Sequence, residues 1–339
     1  MRTFLLTANQ YLREVVGHSV SQAIQEVRHH FKYGDRHFPR SFGIEVSAFC
    51  NRVCSYCPNH FTPRAPVDFM SMEMFDTVLE RLREIDWVGP VSYQFLGEPM
   101  LDKRLPDLVR RTKAKVKGAL PRIYTNADFL TEDLLKEFID AAVFNIVVVR
   151  HPPFSHEWDA RVIPLVQDKR YKKYFTYNGT LKIGNPDEYH KVDNAQHYMQ
   201  THPFGGGNEQ PDIVYTSCPH IMGSYTILRN GDVVQCCLSW DRQPVMGNVA
   251  TETLLEIWNK PIYKEIRNDV IYKKVKTPKM DKCKACFGMK TPTLDKDSAM
   301  LKMNPTFWDK GTINKGLGQL ASPPAGQAVA DPADALVHS

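Results

Sequence analysis

Apolar and polar residues follow two different periods from residue 42 onward. Short runs rich in β-branched residues alternate with longer stretches whose apolar residues recur every three or four positions. These patterns predict strands and helices respectively. Strands and helices that alternate along a chain are typical of a parallel sheet with crossover helices. The pattern predicts strands at residues 42–46, 91–96, 122–124, 144–149, 181–184 and 213–215, and helices at 74–85, 105–115 and 131–142, with Thr131 as an N-cap.

Composition narrows the class of protein. A chain of 339 residues predicts two domains, or one large barrel with a smaller satellite. The net charge of +5 comes from interspersed acidic and basic residues, which argues against a nucleic-acid-binding surface but is compatible with an anionic substrate. The first apolar run is too short for a signal peptide and no window is long enough to span a membrane, so we expect a cytoplasmic protein. Eight cysteines then indicate metal ligands rather than disulfides.

Three cysteines follow the first predicted strand directly. Cys50, Cys54 and Cys57 lie on the loop that leaves its C-terminal end. Cysteine thiolates at short, uneven spacings hold iron–sulfur clusters, and three of them would leave the fourth iron of a [4Fe–4S] cluster open to a small molecule. The alternatives are a zinc knuckle or three unrelated buried thiols, although zinc usually takes four ligands from Cys-x2-Cys pairs.

The pattern Cys50-x3-Cys54-x2-Cys57, with Tyr56 before the third cysteine, resembles the cluster-binding loop of the radical S-adenosylmethionine (SAM) enzymes. The resemblance implies that the open iron binds the amino and carboxylate groups of SAM. An electron supplied by a reductase such as flavodoxin or ferredoxin then cleaves SAM to methionine and a 5′-deoxyadenosyl radical, which abstracts a hydrogen atom from the substrate. The family also implies a partial (β/α)6 barrel with its site at the C-terminal ends of the strands.

Residues at three strand ends extend this resemblance. Gly97-Glu98 is similar to the end of the family's Gly-Gly-Glu-Pro motif, whose backbone meets the SAM amino group, although Leu96 replaces the first glycine. Asn126 matches the family's Thr-Asn-Gly motif and is a candidate for SAM contact or for a turn cap. The family therefore implies Tyr56, Gly97, Glu98 and Asn126 as cofactor-binding residues, and we add Arg150 and His151, at the end of the fourth strand, as candidates for contact with the substrate.

A second cysteine set surrounds a predicted hairpin. Asn230-Gly231 is a strong turn signal between residues 224–229 and 232–236, and a helix with Trp258 follows. The order resembles the C-terminal extension of SPASM and "twitch" radical SAM enzymes. That resemblance implies one auxiliary [4Fe–4S] cluster with four protein ligands; a four-cysteine zinc site is the alternative. The implied ligands are Cys218, Cys236, Cys283 and Cys286, which leaves Cys237 over.

A cluster with four protein ligands is suited to electron transfer. Hydrogen abstraction beside a hydroxyl leaves a carbon radical whose deprotonated form is strongly reducing, and a nearby cluster can accept its electron to give a ketone. The first hypothesis is therefore a dehydrogenase of a sugar or cyclitol, similar to the 2-deoxy-scyllo-inosamine dehydrogenase type. An epimerase with Cys237 as hydrogen donor is the second, although Cys237 also fits a small buried apolar residue. A peptide-modifying maturase and a non-enzymatic electron-transfer protein are further alternatives.

The predicted domain layout has four parts. Residues 1–40 are expected to form a helical segment packed on the outside of the barrel, because Tyr11, Leu12, Val15, Val16, Val20, Ile24, Val27 and Phe31 recur at helical spacing. A helix on a membrane surface is the alternative. Residues 41–215 form the barrel, 216–290 the auxiliary-cluster domain and 291–339 an extension with a disordered end. The polar stretch at 186–211 is either a surface loop or a lid over the barrel mouth.

Overall fold

A computed structural model of the chain describes residues 18–52, 54, 57, 68–151, 155–178, 224–237, 239 and 242–271. Several predictions fall outside these residues, namely Tyr56, Cys218, Cys283, Cys286, the strands at 181–184 and 213–215, the loop at 186–211 and the extension at 291–339. Within the described ranges, no helix has both the length and the apolar content that crossing a membrane requires.

Helices and strands alternate along the described chain, as predicted. The first part contains α1 (His18–Tyr33), β1 (Phe42–Ile44), α2 (Met72–Glu84), β2 (Val88–Tyr93), α3 (Leu105–Lys115), β3 (Gly118–Thr125), α4 (Glu132–Asp140), β4 (Asn145–Val149), α5 (His156–Gln167) and β5 (Phe175–Asn178). The C-terminal part contains β6 (Tyr225–Ile227), β7 (Asp232–Val234), β8 (Val245–Asn248), α6 (Leu254–Asn259) and α7 (Pro261–Ile271). Short 3-10 helices lie at Pro99–Leu101 and Lys172–Tyr174.

All these strands form one sheet in the order β5-β4-β3-β2-β1-β6-β7-β8. Strands β1 to β5 pair in parallel, which confirms the predicted sheet with crossover helices. Strand β1 also pairs in parallel with β6, and the β6–β7–β8 part is antiparallel. The predicted hairpin therefore continues the barrel sheet.

One face of the sheet packs against the helices through aromatic side chains. The Phe42 ring of β1 lies edge-on to Trp87, with ring centroids 4.7 Å apart, and 5.0 Å from the ring of Tyr225. Tyr225 in turn lies 6.0 Å from Trp258 of α6, and all four side chains are buried. Because successive residues of a strand project to opposite faces, Gly43 and its neighbours in register face the inside of the partial barrel.

The N-terminal helix differs from its prediction in two respects. Helix α1 ends at Tyr33, because Gly34 takes the left-handed conformation (φ 73°) typical of a helix C-terminus, so residues 34–40 are not helical. The predicted packing face is also wrong for the described side chains. Ile24, Val27 and Phe31 are 47%, 56% and 83% exposed, whereas His29, which faces another direction, packs against Trp87.

Several further elements were not predicted. Helix α5 begins after Ser155, whose hydroxyl accepts the N–H of Trp158, and it buries apolar residues at helical spacing. Pro164 inside α5 weakens the helical signal, because proline removes a backbone donor. Helix α7 was likewise missed. The strand that pairs with β4 is β5, several residues before the predicted fifth strand.

Candidate functional site

The loop with Cys50, Cys54 and Cys57 leaves the C-terminal end of β1, as predicted. The Met70 N–H donates to the Val46 carbonyl at 2.9 Å, so the returning chain pairs with the segment just beyond the strand. The Cys57 N–H donates to the Cys54 carbonyl at 2.9 Å. All three cysteines are half-buried. The loop is thus tied down at both ends.

Gly97 lies where a larger residue would collide with this loop. A Cβ atom added to Gly97 would stand 1.9 Å from the Ser47 carbonyl oxygen and 3.0 Å from the Phe49 carbonyl oxygen. The Glu98 N–H donates to that Phe49 oxygen at 2.9 Å. The backbone at Gly97 therefore packs directly on the backbone that leads into Cys50. Contact of the same segment with SAM stays a prediction.

The carboxylate of Glu98 is buried between the ends of β2 and β3, at 3% exposure. Its Oε1 accepts the Met100 N–H at 3.0 Å and the Thr125 hydroxyl at 2.7 Å, and its Oε2 accepts the Asn126 N–H at 2.8 Å. Burial raises the pKa of Glu98 to about 7, while these donors act in the opposite direction. Glu98 thus fixes two neighbouring strand ends to each other. Its predicted role at the SAM site is a separate proposal.

A polar network joins the cysteine loop to the end of β3. Asp128 Oδ2 accepts Arg52 Nε at 2.6 Å and Asn51 Nδ2 at 2.7 Å, and Asp128 Oδ1 accepts Arg52 Nη2. Asn126 Nδ2 donates to Asn51 Oδ1 at 3.0 Å. We call these four residues, Asn51, Arg52, Asn126 and Asp128, the loop clamp. Arg52 Nη1 also donates to the His151 carbonyl at 2.7 Å, so the clamp extends to the end of β4.

Asn126 caps a turn, which is one of the two roles considered for it. Its Oδ1 accepts the Asp128 N–H at 2.9 Å, which caps the turn after β3. Its Nδ2 lies 4.0 Å from Cys50 Sγ, so the same amide also reaches a cysteine of the loop. Ala127, at the position of the family's glycine, takes a left-handed φ of 59°. Contact of Asn126 with SAM stays a prediction.

The donor set fits an iron–sulfur cluster. Burial raises the pKa of Cys50 to about 12, and the nearby charges of Glu98, Cys57 and Cys54 add to the shift. Bound iron favours the thiolate and offsets this effect. Among the residues that the structure describes, no three His, Cys, Asp or Glu side chains converge as they would around a single metal ion. In a [4Fe–4S] cluster each cysteine binds a different iron, so its ligands stand further apart.

Arg150 and His151 lie at the end of β4. The Arg150 Nε and Nη2 atoms donate to the carboxylate of Asp159 in α5 at 2.8 Å and 2.6 Å, and both side chains are buried. Burial, assisted by the charge of Arg52, lowers the pKa of His151 to about 4, so the ring is neutral at pH 7. Asp159 therefore holds the guanidinium of Arg150 in place at the strand end. Contact of Arg150 with the substrate stays a prediction.

Cys236 and Cys237 follow β7 of the hairpin after one intervening residue, Gln235. The Tyr263 hydroxyl of α7 donates to the Gln235 carbonyl at 3.2 Å, which anchors the backbone beside them. Cys236 Sγ lies 3.8 Å from the Ser239 hydroxyl. The structure thus places Cys236 two positions beyond the hairpin strand, and its role as a cluster ligand stays a prediction.

A buried carboxylate joins the two cysteine segments. Glu45, five residues before Cys50, accepts Arg242 Nη2 at 3.0 Å and the Arg229 N–H at 3.3 Å. Arg229 also pairs with Asp68, on the chain that returns from the cysteine loop. Burial raises the pKa of Glu45, and Arg242 and Arg229 act in the opposite direction. These ion pairs fix the loop after Cys236 relative to the strand before Cys50.

Sequence reasoning missed four of these residues. Glu45 interrupts an otherwise apolar strand, and a charge at such a position must be paired when buried, so a signal was present. Arg52 lies between two cysteines of the loop, and a charge so close to expected cluster ligands is also a signal. Asp128 and Arg242 carry no local signal, because their partners lie 76 and 197 positions away.

Comparisons with known proteins identify the families that two parts of the chain match. The family model of the radical SAM superfamily matches residues 44–153, and the model of an iron–sulfur cluster-binding domain, SPASM, matches residues 218–287. The S-adenosyl-L-methionine-dependent 2-deoxy-scyllo-inosamine dehydrogenase of Niallia circulans is 28% identical over 252 residues, which cover 74% of this chain and 93% of that protein.

Two solved structures share the fold. The crystal structure of BtrN in complex with AdoMet and 2-DOIA has a TM-score of 0.58 at 25% identity, and the match covers 71% of this chain and 90% of that chain. BtrN in an open conformation has a TM-score of 0.51 at 23% identity, over 69% and 86% of the two chains.

The cysteine loop, the strand-end residues and both family matches define one class: the chain is a radical SAM enzyme with a SPASM-type iron–sulfur domain. Its cofactors are SAM, a SAM-binding [4Fe–4S] cluster and an auxiliary [4Fe–4S] cluster. Within that class it resembles the 2-deoxy-scyllo-inosamine dehydrogenase of Niallia circulans. The zinc and electron-transfer alternatives are therefore set aside.

Proposed function

We propose that this enzyme oxidises a secondary hydroxyl of a small polyhydroxylated ring, a sugar or a cyclitol, to a ketone. The observation that carries the proposal is the match over 93% of a SAM-dependent cyclitol dehydrogenase. The proposal is supported by the continuous sheet, in which the barrel strands β1 to β5 are joined to β6–β8, and by Cys236, which lies two positions beyond β7.

In this proposal the chain's own residues hold and orient the reacting groups. When bound, SAM and its cluster supply a 5′-deoxyadenosyl radical that takes one hydrogen atom from the substrate, and the auxiliary cluster supplies an acceptor for one electron. The substrate also releases one proton, which completes a two-electron oxidation. Cys50, Cys54 and Cys57 hold the first cluster, and the loop clamp fixes their loop to β3. Cys218, Cys236, Cys283 and Cys286 hold the second.

The remaining predicted site residues are assigned around this centre. Tyr56, Gly97, Glu98 and Asn126 line the SAM site, and Arg150 binds the substrate at the end of β4. Support for Arg150 comes from Asp159, which orients its guanidinium. The four-part layout, 1–40, 41–215, 216–290 and 291–339, is kept as the domain proposal.

We also propose a flavodoxin or ferredoxin as the electron donor and a cytoplasmic location. A reducing compartment keeps the eight cysteines available for clusters rather than disulfides. The interspersed charges support neither a nucleic-acid nor a membrane partner.

The experiment is anaerobic incubation of the reconstituted enzyme with SAM, dithionite and a panel of cyclitols and sugars that includes 2-deoxy-scyllo-inosamine. We expect about eight irons per chain, two clusters of four, and a carbonyl product formed together with 5′-deoxyadenosine. The variant with Cys50, Cys54 and Cys57 changed to Ala should hold about half the iron and form no 5′-deoxyadenosine. Zinc in place of half the iron, or no oxidised polyol in the panel, would contradict the proposal.

A further inference from the structure

The inner face of the sheet is polar across its middle. Strand register places Gly43 between Thr226 of β6 and Ser92 of β2, then Ser92 beside Arg122 of β3, and Arg122 beside Asn145 of β4. Residues paired in register project to the same face of a sheet. We call these five residues the inner row. They lie on the face opposite Phe42, which packs against the helices.

The space next to Gly43 is also lined by polar groups. A Cβ atom added to Gly43 would stand 3.1 Å from Gln94 Nε2 and 3.2 Å from Ser224 Oγ. The interior of a packed parallel barrel is instead filled by branched apolar side chains. A row of hydroxyls, amides and one guanidinium is therefore suited to binding a polar molecule rather than to core packing.

Arg122 is the unusual member of this row. Over the described ranges, Arg122 Nε is buried without a hydrogen-bond partner, and the same holds for Ser224 Oγ and Thr226 Oγ1. By contrast, Arg52 and Arg150 each donate to a carboxylate. Buried polar atoms nearly always have partners, so three unsatisfied ones on one inner face need an explanation.

We propose that Arg122 binds an oxyanion of the substrate, a phosphate or a carboxylate, and that Ser224 and Thr226, three strands away on the same face, bind hydroxyls of that substrate. This inference rests on the proposed function and specifies its substrate as a sugar or cyclitol with an anionic substituent. The planar guanidinium presents paired donors that match phosphate and carboxylate oxygens, and the two hydroxyls can bind hydroxyls of the polyol ring.

The depth of Arg122 fits this role. Arg122 lies four positions before Asn126, just beyond the strand end, which corresponds to roughly 13 Å along β3 at about 3.3 Å per residue. A ring with a charged substituent and the arginine side chain can span that distance together. The anion would then be held inside the barrel while the ring carbon to be oxidised lies near the cysteine loop.

The test measures binding to the reconstituted, SAM-loaded enzyme by calorimetry. The probes are myo-inositol, myo-inositol 1-phosphate and glucuronate, so that a neutral polyol, a phosphate and a carboxylate are compared. We expect at least one anionic probe to bind tenfold or more tightly than the neutral one, and Arg122→Gln to abolish that preference. Arg122→Lys should retain part of it. The matched control is Arg110→Gln, which removes an exposed charge from α3 and should change nothing.

Several results would overturn the inference. The first is equal affinity of the unmutated enzyme for neutral and anionic probes, and the second is unchanged anion affinity in Arg122→Gln. The third is weaker SAM binding by Arg122→Gln, because this result would make Arg122 a SAM contact. If Arg122→Gln does not fold, Arg122→Lys decides: the preference for the anionic probe should fall severalfold, and an unchanged preference contradicts the subsite.

The binding assay tests the anion subsite and the turnover assay tests the proposed function, so the two can fail separately. If anion binding needs Arg122 but no polyol is oxidised, the subsite stands and the proposed function fails. If neutral cyclitols are oxidised equally well by the unmutated enzyme and by Arg122→Gln, the subsite fails and the proposed function stands.

Discussion

Replacing Asp128 with Asn tests whether the loop clamp holds the cysteine loop in place. The Asp128 carboxylate accepts two nitrogens of Arg52 and one of Asn51. The variant keeps the shape of the side chain and one acceptor oxygen. It loses the charge and the second acceptor, so the bidentate pair with Arg52 cannot form.

The expected free-energy cost of breaking the Arg52–Asp128 ion pair depends on how deeply the two side chains are buried. The side chains of Arg52 and Asp128 are 16% and 21% exposed. Exposed pairs contribute about 0 to 1 kcal/mol, and breaking a fully buried pair costs about 3 to 5 kcal/mol. For this pair we expect about 2 kcal/mol. At about 1.4 kcal/mol per tenfold change, the ordered loop loses up to roughly 30-fold in population relative to a released one.

The assay follows the cluster and SAM. For Asp128→Asn we expect faster loss of about half the iron to a chelator and a SAM dissociation constant raised severalfold, up to roughly 30-fold. The matched control is Asp107→Asn. Asp107 also accepts an arginine, Arg111 Nε at 2.6 Å, but on the exposed surface of α3. Arg52→Lys, which keeps the charge and loses the fork, should resemble Asp128→Asn.

Two results would refute the reasoning. If Asp128→Asn keeps its iron and SAM affinity at the unmutated level, the clamp does not hold the loop. If Asp107→Asn loses iron and SAM affinity to the same extent, the effect belongs to overall stability.

Three further predictions follow from the structure. Burial lowers the pKa of His29 to about 4, so between about pH 6.5 and 4 the unfolded chain binds more protons than the folded chain. The free energy of unfolding should therefore fall by up to about 3 kcal/mol as the pH falls through that window. Urea unfolding of the unmutated chain and of His29→Gln at several pH values measures this fall. Gly97→Ala should lower SAM-cluster content and destabilise the fold by about 2 kcal/mol or more, because the new methyl overlaps the Ser47 carbonyl. Cys236→Ala should lose substrate oxidation yet still form 5′-deoxyadenosine, whereas Cys237→Ala keeps most of its turnover.

Each of these has a contrary outcome. An unchanged pH slope in His29→Gln would show that His29 does not titrate as expected. Gly34→Ala is the control for Gly97→Ala, since no atom lies within 4 Å of its added Cβ and only its positive φ opposes it; equal effects of both changes would contradict the close-contact argument. A Cys237→Ala enzyme that forms 5′-deoxyadenosine but no product would favour the epimerase.

Much of the fold could be predicted because periodicity reports burial locally. Helix α3 lies at the predicted residues, and Thr131 caps α4 as expected. The prediction that the apolar stripe of α1 packs on the barrel was wrong for the described side chains, because periodicity shows an amphipathic face without showing what covers it. The parallel pairing of β1 with β6 joins residues about 180 positions apart, and local patterns do not encode that pairing.

The cysteine loop after β1 and the position of Gly97 beside it could be predicted, because the chemistry expected there needs particular residue types at fixed spacings. The clamp could not, since Arg52 and Asp128 are common surface residues until the fold brings β3 beside the cysteine loop. Arg122 illustrates the same limit. Its sequence neighbours describe an ordinary strand, and only the register across β1, β2 and β6 shows that it shares a polar face.

The most direct test of the central claim follows one hydrogen atom. The substrate, once found in the panel, is labelled with deuterium at the carbon that bears the reacting hydroxyl and is turned over anaerobically with SAM. The account predicts one deuterium in 5′-deoxyadenosine for each carbonyl product formed, and no solvent hydrogen at that carbon. Deuterated 5′-deoxyadenosine without a carbonyl, or an inverted carbon that has gained solvent hydrogen, would contradict it.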